Sequence, residues 1–434
     1  MKIKNILFQF EQFLFYSFLI VIPFSLRHII YYPGWKFNEW LSVSIWATDL
    51  LIISLLCYWF FNNHRDFKFQ NIFKIQNSTI CLLLFLLFSL ISIKNAPLSY
   101  LGWYHWIKLC ELLLLFLYLK NYAFDRFDYL KISLALMVGG FFQSILGISQ
   151  FLLQKSLGLT IFGEGFLDPL MKGIAVFYNF DGERVMRAYG TTPHPNILAG
   201  YLLVVIFALY YLWLHYPNIL RDKILNGGFI VSYGLIIFGF LLTFSRTAIF
   251  FWAMASLALF LWFWLKVVDK RSQLIKIFLW TLCLSGLFLI IFWPEVLARV
   301  LVSKSEEAVQ LRVYFAQESI DKEWNIFGVG IGNFVKWLMD KNPYQPVWMY
   351  QPVHNIYLLI YSEVGIMGIL SFISFLFFLF LDLLRSKIDN NLRIFKLIMV
   401  LSFLAIGFFD HYLVTMQDGG IILWSLLALI AKDG

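Results

Sequence analysis

The chain has 434 residues, is 61% hydrophobic and 20% aromatic, and carries only 14% charged residues. Soluble domains hold about 25% charged residues, so the composition excludes a soluble globular protein, and membrane topology accounts for the formal net charge of +8 better than nucleic acid does. The apolar runs are long and continuous instead of alternating over about ten residues, which excludes an outer-membrane barrel as well.

A membrane-crossing helix needs about 20 apolar residues. Runs at 7–26, 41–61, 78–93, 104–122 and 130–153 predict five such helices in an N-terminal part, 1–153. The first follows Met1-Lys2-Ile3-Lys4 and is interrupted by Glu11 and Gln12. No small-x-small cleavage site follows, so it reads as an uncleaved helix and not as a signal peptide. A long connecting loop, 154–195, leads to runs at 196–216, 224–243, 247–267 and 273–293, the sixth to ninth helices within 196–293. A larger loop, 294–352, precedes runs at 353–381, 395–412 and 419–431, the last three helices within 353–434. The fold class is therefore all-α, a polytopic helical membrane protein of about twelve transmembrane helices, with the large external loop between helices 9 and 10.

Twelve crossings place both termini on one side. With that side cytoplasmic, more than half of the 34 basic residues fall in the short inner connections, among them Arg65, Lys68, Lys120, Lys131, Arg221, Lys270, Arg271, Lys387 and Arg393. The longer outer segments are correspondingly depleted, as the positive-inside rule requires. The chain is expected in the cytoplasmic (inner) membrane with both termini inside and its working face on the periplasmic or external side. Cys57, Cys81, Cys110 and Cys283 all lie in apolar stretches without C-x-x-C spacing, a pattern that predicts neither disulfides nor zinc.

Loops as long as 154–195 and 294–352 are usually functional or disordered, and their aromatics and glycines amid apolar residues predict order. In the second, Ser303 and Glu306 form a capping-box pattern. Val309, Val313, Ala316 and Ile320 follow at helical spacing, predicting an amphipathic helix.

No G-x-x-x-x-G-K-[ST] occurs, and Gly328-Val329-Gly330-Ile331-Gly332 lacks the spacing and βαβ context of a dinucleotide loop. Any reaction must then draw on energy stored in a substrate delivered through the membrane. Candidate polar residues cluster on the outer face. Thr243-Phe244-Ser245-Arg246-Thr247 ends one predicted helix and starts the next, holding Arg246 at the interface, where an arginine marks function more often than not. His354, after Gln351-Pro352-Val353, falls in the first turn of the tenth helix, where a neutral imidazole can serve as a general base; Asn355 reads as a helix cap. Arg312 lies on the predicted loop helix. Arg187-Ala188-Tyr189-Gly190 and Pro193-His194-Pro195-Asn196 lead into the sixth helix, whose free amides favour an anion. Glu363, with Gly365 and Gly368, lies about 13 Å below His354 at 1.5 Å per residue, too deep to touch it, so close packing with an internal partner is expected. Lys108 and Glu111 read as a self-neutralising i,i+3 pair, and Asp410-His411 ends the eleventh helix on the outer face without an assigned role. Arginines grip phosphate bidentately, so this set suits displacement of a phosphate leaving group by a hydroxyl.

The same segments resemble the O-antigen ligase and polymerase superfamily of polytopic glycosyltransferases. The resemblance is carried by Arg187-x-x-Gly190 with Pro195-Asn196 and by Thr243-x-Ser245-Arg246. Further along it is carried by Arg312, by Phe327-Gly328-x-Gly330-x-Gly332-x-Phe334, and by His354-Asn355-x-Tyr357-Leu358 with Glu363-x-Gly365. It covers about 185 to 370 in the family's order. It implies inverting transfer of a glycan from an undecaprenyl-diphosphate-linked donor to a lipid or protein glycan acceptor, in the bilayer, without metal, nucleotide cofactor or nucleic acid. By the same resemblance His354 activates the acceptor hydroxyl, and Arg246, Arg312 and Arg187 hold the diphosphate. Asn355, Asn196, Gly330 and Glu363 support them. A repeat-unit polymerase and a lipid-linked saccharide transporter or flippase are the alternatives; a transporter would place its charges near the bilayer midplane in broken helices.

Overall fold

The computed structural model describes residues 2–34, 37–63, 76–217, 223–300, 307–320 and 326–432. Each of the twelve predicted runs carries a helix. They are α1 (Lys2–Val21), α2 (Ala47–Asn63), α3 (Asn77–Ser92), α4 (Ser99–Tyr118), α5 (Tyr129–Leu153) and α6 (Pro195–His215). α7 (Lys223–Leu242), α8 (Arg246–Lys266) and α9 (Arg271–Ile291) follow. The 294–352 region adds α10 (Trp293–Val300), α11 (Glu307–Glu318) and α12 (Phe334–Lys341) before α13 (Ile356–Arg385), α14 (Asn390–Ile406) and α15 (Gln417–Ala431). Among the described residues seven helices are long and apolar enough to cross a membrane, and three shorter apolar helices accompany them. The chain is thus an all-α polytopic membrane protein. All four cysteines are free thiols.

Two short antiparallel hairpins depart from the all-helical expectation. β1 (Arg27–Tyr31) pairs with β2 (Val43–Trp46), so the run predicted as helix from 41 becomes helical only at Ala47. β-branched Val43 and Ile45, alternating with Ser44 and Trp46, favour the pleat there. β3 (Val176–Tyr178) pairs with β4 (Arg184–Met186) around a turn in which Asn179 Oδ1 accepts from the amides of Asp181 and Glu183 at 3.1 and 2.8 Å.

The chain divides into two compact units, one comprising 1–26, 127–302 and 397–403, the other 27–126, 303–396 and 404–434. In the first, α5 packs on α1, α6 and α7, and α6 is buried along nearly its whole length. The 154–195 segment is ordered around Glu164. Its carboxylate accepts from the amides of Leu157 and Leu159 at 2.7 and 2.6 Å and from Gln150 Nε2 at 2.8 Å.

In the second unit, α3 lies along α13 and α4 along α15. The 307–359 region has its own small core of Phe315, Phe334, Val335, Leu338, Tyr350, Val353 and Leu359, with Trp40, Leu311 and Tyr314 against it. The expected cap at Ser303 and Glu306 lies outside the described residues. The expected helix is present, with Val313 and Ile320 exposed and Phe315 and Ser319 fully buried. Burying an aromatic ring releases more free energy than burying a valine or an alanine, and that difference sets the rotation of α11.

The pair expected between Lys108 and Glu111 is present at 3.3 Å, and a second carboxylate joins it. Asp49 at the start of α2 also takes Lys108, and accepts from Trp46 N at 2.9 Å and Gln417 Nε2 at 2.6 Å. One ammonium therefore bridges two carboxylates in a largely buried cluster, and removing one partner of such a cluster costs about 3–5 kcal/mol. Lys108→Met is expected to lower the thermal midpoint of the purified protein sharply, and Lys108→Met with Glu111→Gln to recover part of the loss. A single variant that melts like wild type would show that the cluster is not structural.

Candidate functional site

In the first unit the site residues gather around a three-residue turn. α7 ends at Leu242 and α8 begins at Arg246, as the sequence predicts. The reversal is so tight that Phe244 adopts φ 45°, a left-handed conformation uncommon for a side chain of this size. The turn is tied down from inside: Thr243 Oγ1 donates to Phe240 O at 2.5 Å, and Ser245 N donates to Thr243 Oγ1 at 3.3 Å. Arg187, 5% exposed, completes the anchorage. Its Nε donates to Thr243 O and its Nη2 to Asn196 Oδ1, both at 2.6 Å. Arg187 thus joins the turn that presents Arg246 to the first turn of α6. Pro195 occupies the first position of α6, and His194 Nδ1 accepts from Asn196 N at 3.2 Å, a side-chain N-cap of the kind that satisfies otherwise orphaned helix amides.

Two glutamines of α5, not singled out in the sequence, hold the Arg187–Asn196 segment. Gln150 accepts from the amides of Tyr189 and Gly190 at 3.2 and 2.8 Å and donates to Gly190 O at 2.8 Å. Gln143 accepts from Thr191 N at 2.9 Å and donates to Thr191 Oγ1 at 2.7 Å. Both are fully buried. A polar residue in the middle of an apolar helix is the sequence signal that could have found them.

In the second unit the glycine-rich segment and α13 interlock. α13 is broken at Gly365, whose φ of 79° and ψ of −172° are not helical. The carbonyls released there are taken by the glycine segment: Val329 N donates to Ser362 O and Gly330 N to Glu363 O, each at 2.9 Å. The Glu363 carboxylate closes the interlock from its other side, accepting from Gly332 N at 2.8 Å and Phe334 N at 3.3 Å at the start of α12. The internal partner expected for Glu363 is therefore the backbone of the glycine motif. Across the segment, Asn95 Nδ2 donates to Gly328 O at 2.9 Å, Ile331 N to Ser92 Oγ at 3.0 Å and Leu98 N to Asn333 Oδ1 at 2.9 Å. Backbone sits so close on both sides that a Cβ on Gly328 would lie 2.5 Å from Glu363 C, and one on Gly330 2.6 Å from Ala96 Cβ.

Ten residues before the break, Asn355 caps α13, its Oδ1 accepting from Tyr357 N at 2.9 Å and Leu358 N at 3.0 Å. This fixes His354 just ahead of the helix. The imidazole stacks on Phe315 of α11 (6.1 Å, 13°) and meets the ring of His411 edge to face (4.7 Å, 78°). His411 in turn bonds Thr415 Oγ1 through Nδ1 at 2.7 Å and packs against Trp40 (5.2 Å, 85°). Arg312 lies one helical turn from Phe315 and acts electrostatically on His354. Burial lowers the His354 pKa below the usual imidazole value, the Asp410 carboxylate opposes that shift, and the Arg312 guanidinium reinforces it. The net result is an imidazole held neutral at physiological pH, able to accept a proton.

The structure thus groups Arg187, Asn196 and Arg246 in one unit, and Arg312, Gly330, His354, Asn355 and Glu363 in the other. Asp410-His411, left without a role by the sequence, belongs beside His354. Residues 231–373 match the family model described as O-antigen ligase, which bears out the superfamily resemblance read from the motifs. The match contains Arg246, Arg312, the glycine segment, His354 and Glu363, and leaves Arg187 and Asn196 outside it. No curated protein matches the chain.

The Glu363 clamp makes a direct prediction. Glu363→Ala leaves two buried amides without an acceptor, at about 1–3 kcal/mol each, whereas Glu363→Gln keeps one carbonyl acceptor in place. Thermal melts should rank wild type above Gln and Gln above Ala; equal midpoints for the two variants would show that the carboxylate is not the clamp.

Proposed function

We propose that the protein is a membrane glycosyltransferase of the O-antigen ligase kind, acting on the outer face of the cytoplasmic membrane. It transfers a glycan from an undecaprenyl-diphosphate-linked donor to the hydroxyl of a lipid or protein glycan acceptor. The observation that carries this reading is the family match over 231–373, because it contains a neutral, half-buried histidine beside an arginine and a second arginine fixed in a helix-to-helix turn.

In this mechanism the His354 imidazole takes the proton from the acceptor hydroxyl as its oxygen attacks the anomeric carbon. The bond from that carbon to the diphosphate oxygen breaks, and the leaving group departs with the electron pair. Attack from the opposite face inverts the anomeric configuration. Arg246 and Arg312 bind the donor diphosphate and balance the charge that grows on it as it leaves, an interaction stronger in the transition state than before it. Arg187 serves this site mainly by fixing the turn that carries Arg246, since two of its donors are spent on Thr243 and Asn196. No divalent metal is required, so transfer should persist in EDTA. Ligation to a separate acceptor and polymerisation of repeat units use the same groups. They differ in whether product forms from donor alone.

His354→Ala should lower kcat by about 10²–10⁴-fold while leaving donor binding near wild type. Arg246→Ala should weaken donor binding by about 10–100-fold, the equivalent of one or two charge-assisted hydrogen bonds. Both are read by purified protein with an undecaprenyl-diphosphate glycan, and equal donor affinity in wild type and Arg246→Ala would sink the second assignment. The pH dependence follows from the state of His354. A base must be neutral to act and its pKa lies below the ordinary value of about 6.5. The rate should therefore be flat from neutrality down to about pH 6.5 and fall at lower pH. The acid limb should move up when Arg312→Gln removes a charge that holds the pKa down; an unchanged limb would remove His354 from the proton transfer.

A further inference from the structure

At one end of the first unit, two membrane-crossing helices run out into chain that stays apolar and exposed. α5 finishes with Leu152 and Leu153 and α9 with Ile290 and Ile291, all four exposed, as the lipid-facing residues of a crossing helix are. The two ends lie together, since the rings of Phe151 and Phe292 meet at 5.6 Å. Beyond α5, Ile161, Phe166 and Leu170 are 75, 72 and 78% exposed. Beyond α9, α10 sets Trp293, Val296, Leu297 and Val300 at i, i+3, i+4 and i+7, one face of a short helix, with Glu295 and Arg299 on the other. Trp293 and Val300 are exposed. β3 packs on α10 and joins the two strips into one rim.

The backbone holds these side chains outward. The Glu164 anchor fixes the start of the loop, and Phe162 packs its ring against Phe24 and Phe142 at 5.9 and 5.7 Å. Asp168 Oδ1 accepts from Leu170 N at 2.7 Å, and Arg184 donates to the carbonyls of Leu170 and Met171, both at 3.2 Å. A contiguous apolar patch on an ordered backbone marks contact with another apolar body.

Position says which body. The rim continues the lipid-facing ends of α5 and α9, so bilayer already borders it. It also sits at the level of the turn that carries Arg246, because Phe177 of β3 packs on Phe244 at 4.9 Å and Phe151 does so at 5.7 Å. Lys155 and Lys172 are exposed on either side of the 161–170 strip, where long basic side chains reach lipid phosphate. The exposed acids Asp181 and Glu183 are confined to the turn of the β3–β4 hairpin. We propose that this rim is a membrane-interface seat: Ile161, Phe166, Leu170 and the apolar face of α10 lie among the upper acyl chains of the leaflet at that end, with Lys155 and Lys172 at its phosphates.

The seat is tested without any assay of activity, by spin labelling of the full-length protein in phospholipid nanodiscs. Cys57→Ala, Cys81→Ala, Cys110→Ala and Cys283→Ala remove the native thiols. Labels are then placed singly at Ile161→Cys, Phe166→Cys and Leu170→Cys, with Asp181→Cys as the water-exposed reference. Relative to that reference, the three rim labels are expected to gain collisions with molecular oxygen and to lose collisions with a water-soluble nickel chelate, the pattern of lipid. Nickel collisions equal to the reference would place the rim in water. Loss of both kinds would show that a protein partner or a second copy covers it, and either result overturns the proposal. A second measurement uses the wild-type protein with its cysteines, in nanodiscs containing a phospholipid with a diazirine near the top of its acyl chain. Photolysis should attach lipid within 159–172 and 293–300; adducts confined to the crossing helices would overturn the seat.

Discussion

The second unit is organised around one constraint: inside an apolar helix pair, a broken helix must have its freed backbone groups taken up by protein, because lipid offers nothing in exchange. α13 breaks at Gly365, and the glycine segment supplies what the break removes, through Val329 and Gly330 to the carbonyls of Ser362 and Glu363. Glu363 then returns the favour by accepting from Gly332 and Phe334. The two strips of chain satisfy each other, and neither could hold its conformation alone. Placing α12 and the first half of α13 in this way also settles where Asn355 caps and hence where His354 sits. The glycines are needed for contact distance as much as for conformation, since even a methyl group at Gly328 or Gly330 would meet backbone or Ala96.

The first unit meets the same constraint by different means. The turn between α7 and α8 is too short to satisfy its own carbonyls, and Arg187 fills that role at Thr243 while reaching Asn196. Gln143 and Gln150 do the corresponding work for the segment that carries Arg187. A guanidinium with two internal acceptors is a rigid strut, and lysine could not reproduce its planar fork. The arginine that faces substrate in this account, Arg246, is consequently held by one that does not.

How much of this the sequence made legible depends on the range of the interaction. Local signals read true: Pro195 at a helix start, Asn355 as a cap, the near-absence of a loop before Arg246, and Lys108 with Glu111 are all decided by neighbours within four residues. The break at Gly365 could not be read, because the apolar pattern runs through it without interruption and the compensating amides lie some thirty residues upstream. Asp49 and His411 were missed as partners for the same reason. Their significance comes from residues on other helices. Both β-hairpins fall below the length at which alternation stands out against an apolar background. The spacing of Val309, Val313, Ala316 and Ile320 marks α11 as a helix but not which side turns inward, which the larger rings of Tyr314 and Phe315 decide.

The central claim is that this assembly carries out glycan transfer with departure of a lipid diphosphate. It is tested most directly by quantifying undecaprenyl diphosphate released by the purified wild-type protein, in EDTA, from a labelled undecaprenyl-diphosphate glycan with and without a separate acceptor. The account predicts release in step with glycan appearing on an acceptor hydroxyl, with the anomeric configuration inverted. A donor that is bound or moved across the bilayer but recovered intact would contradict it.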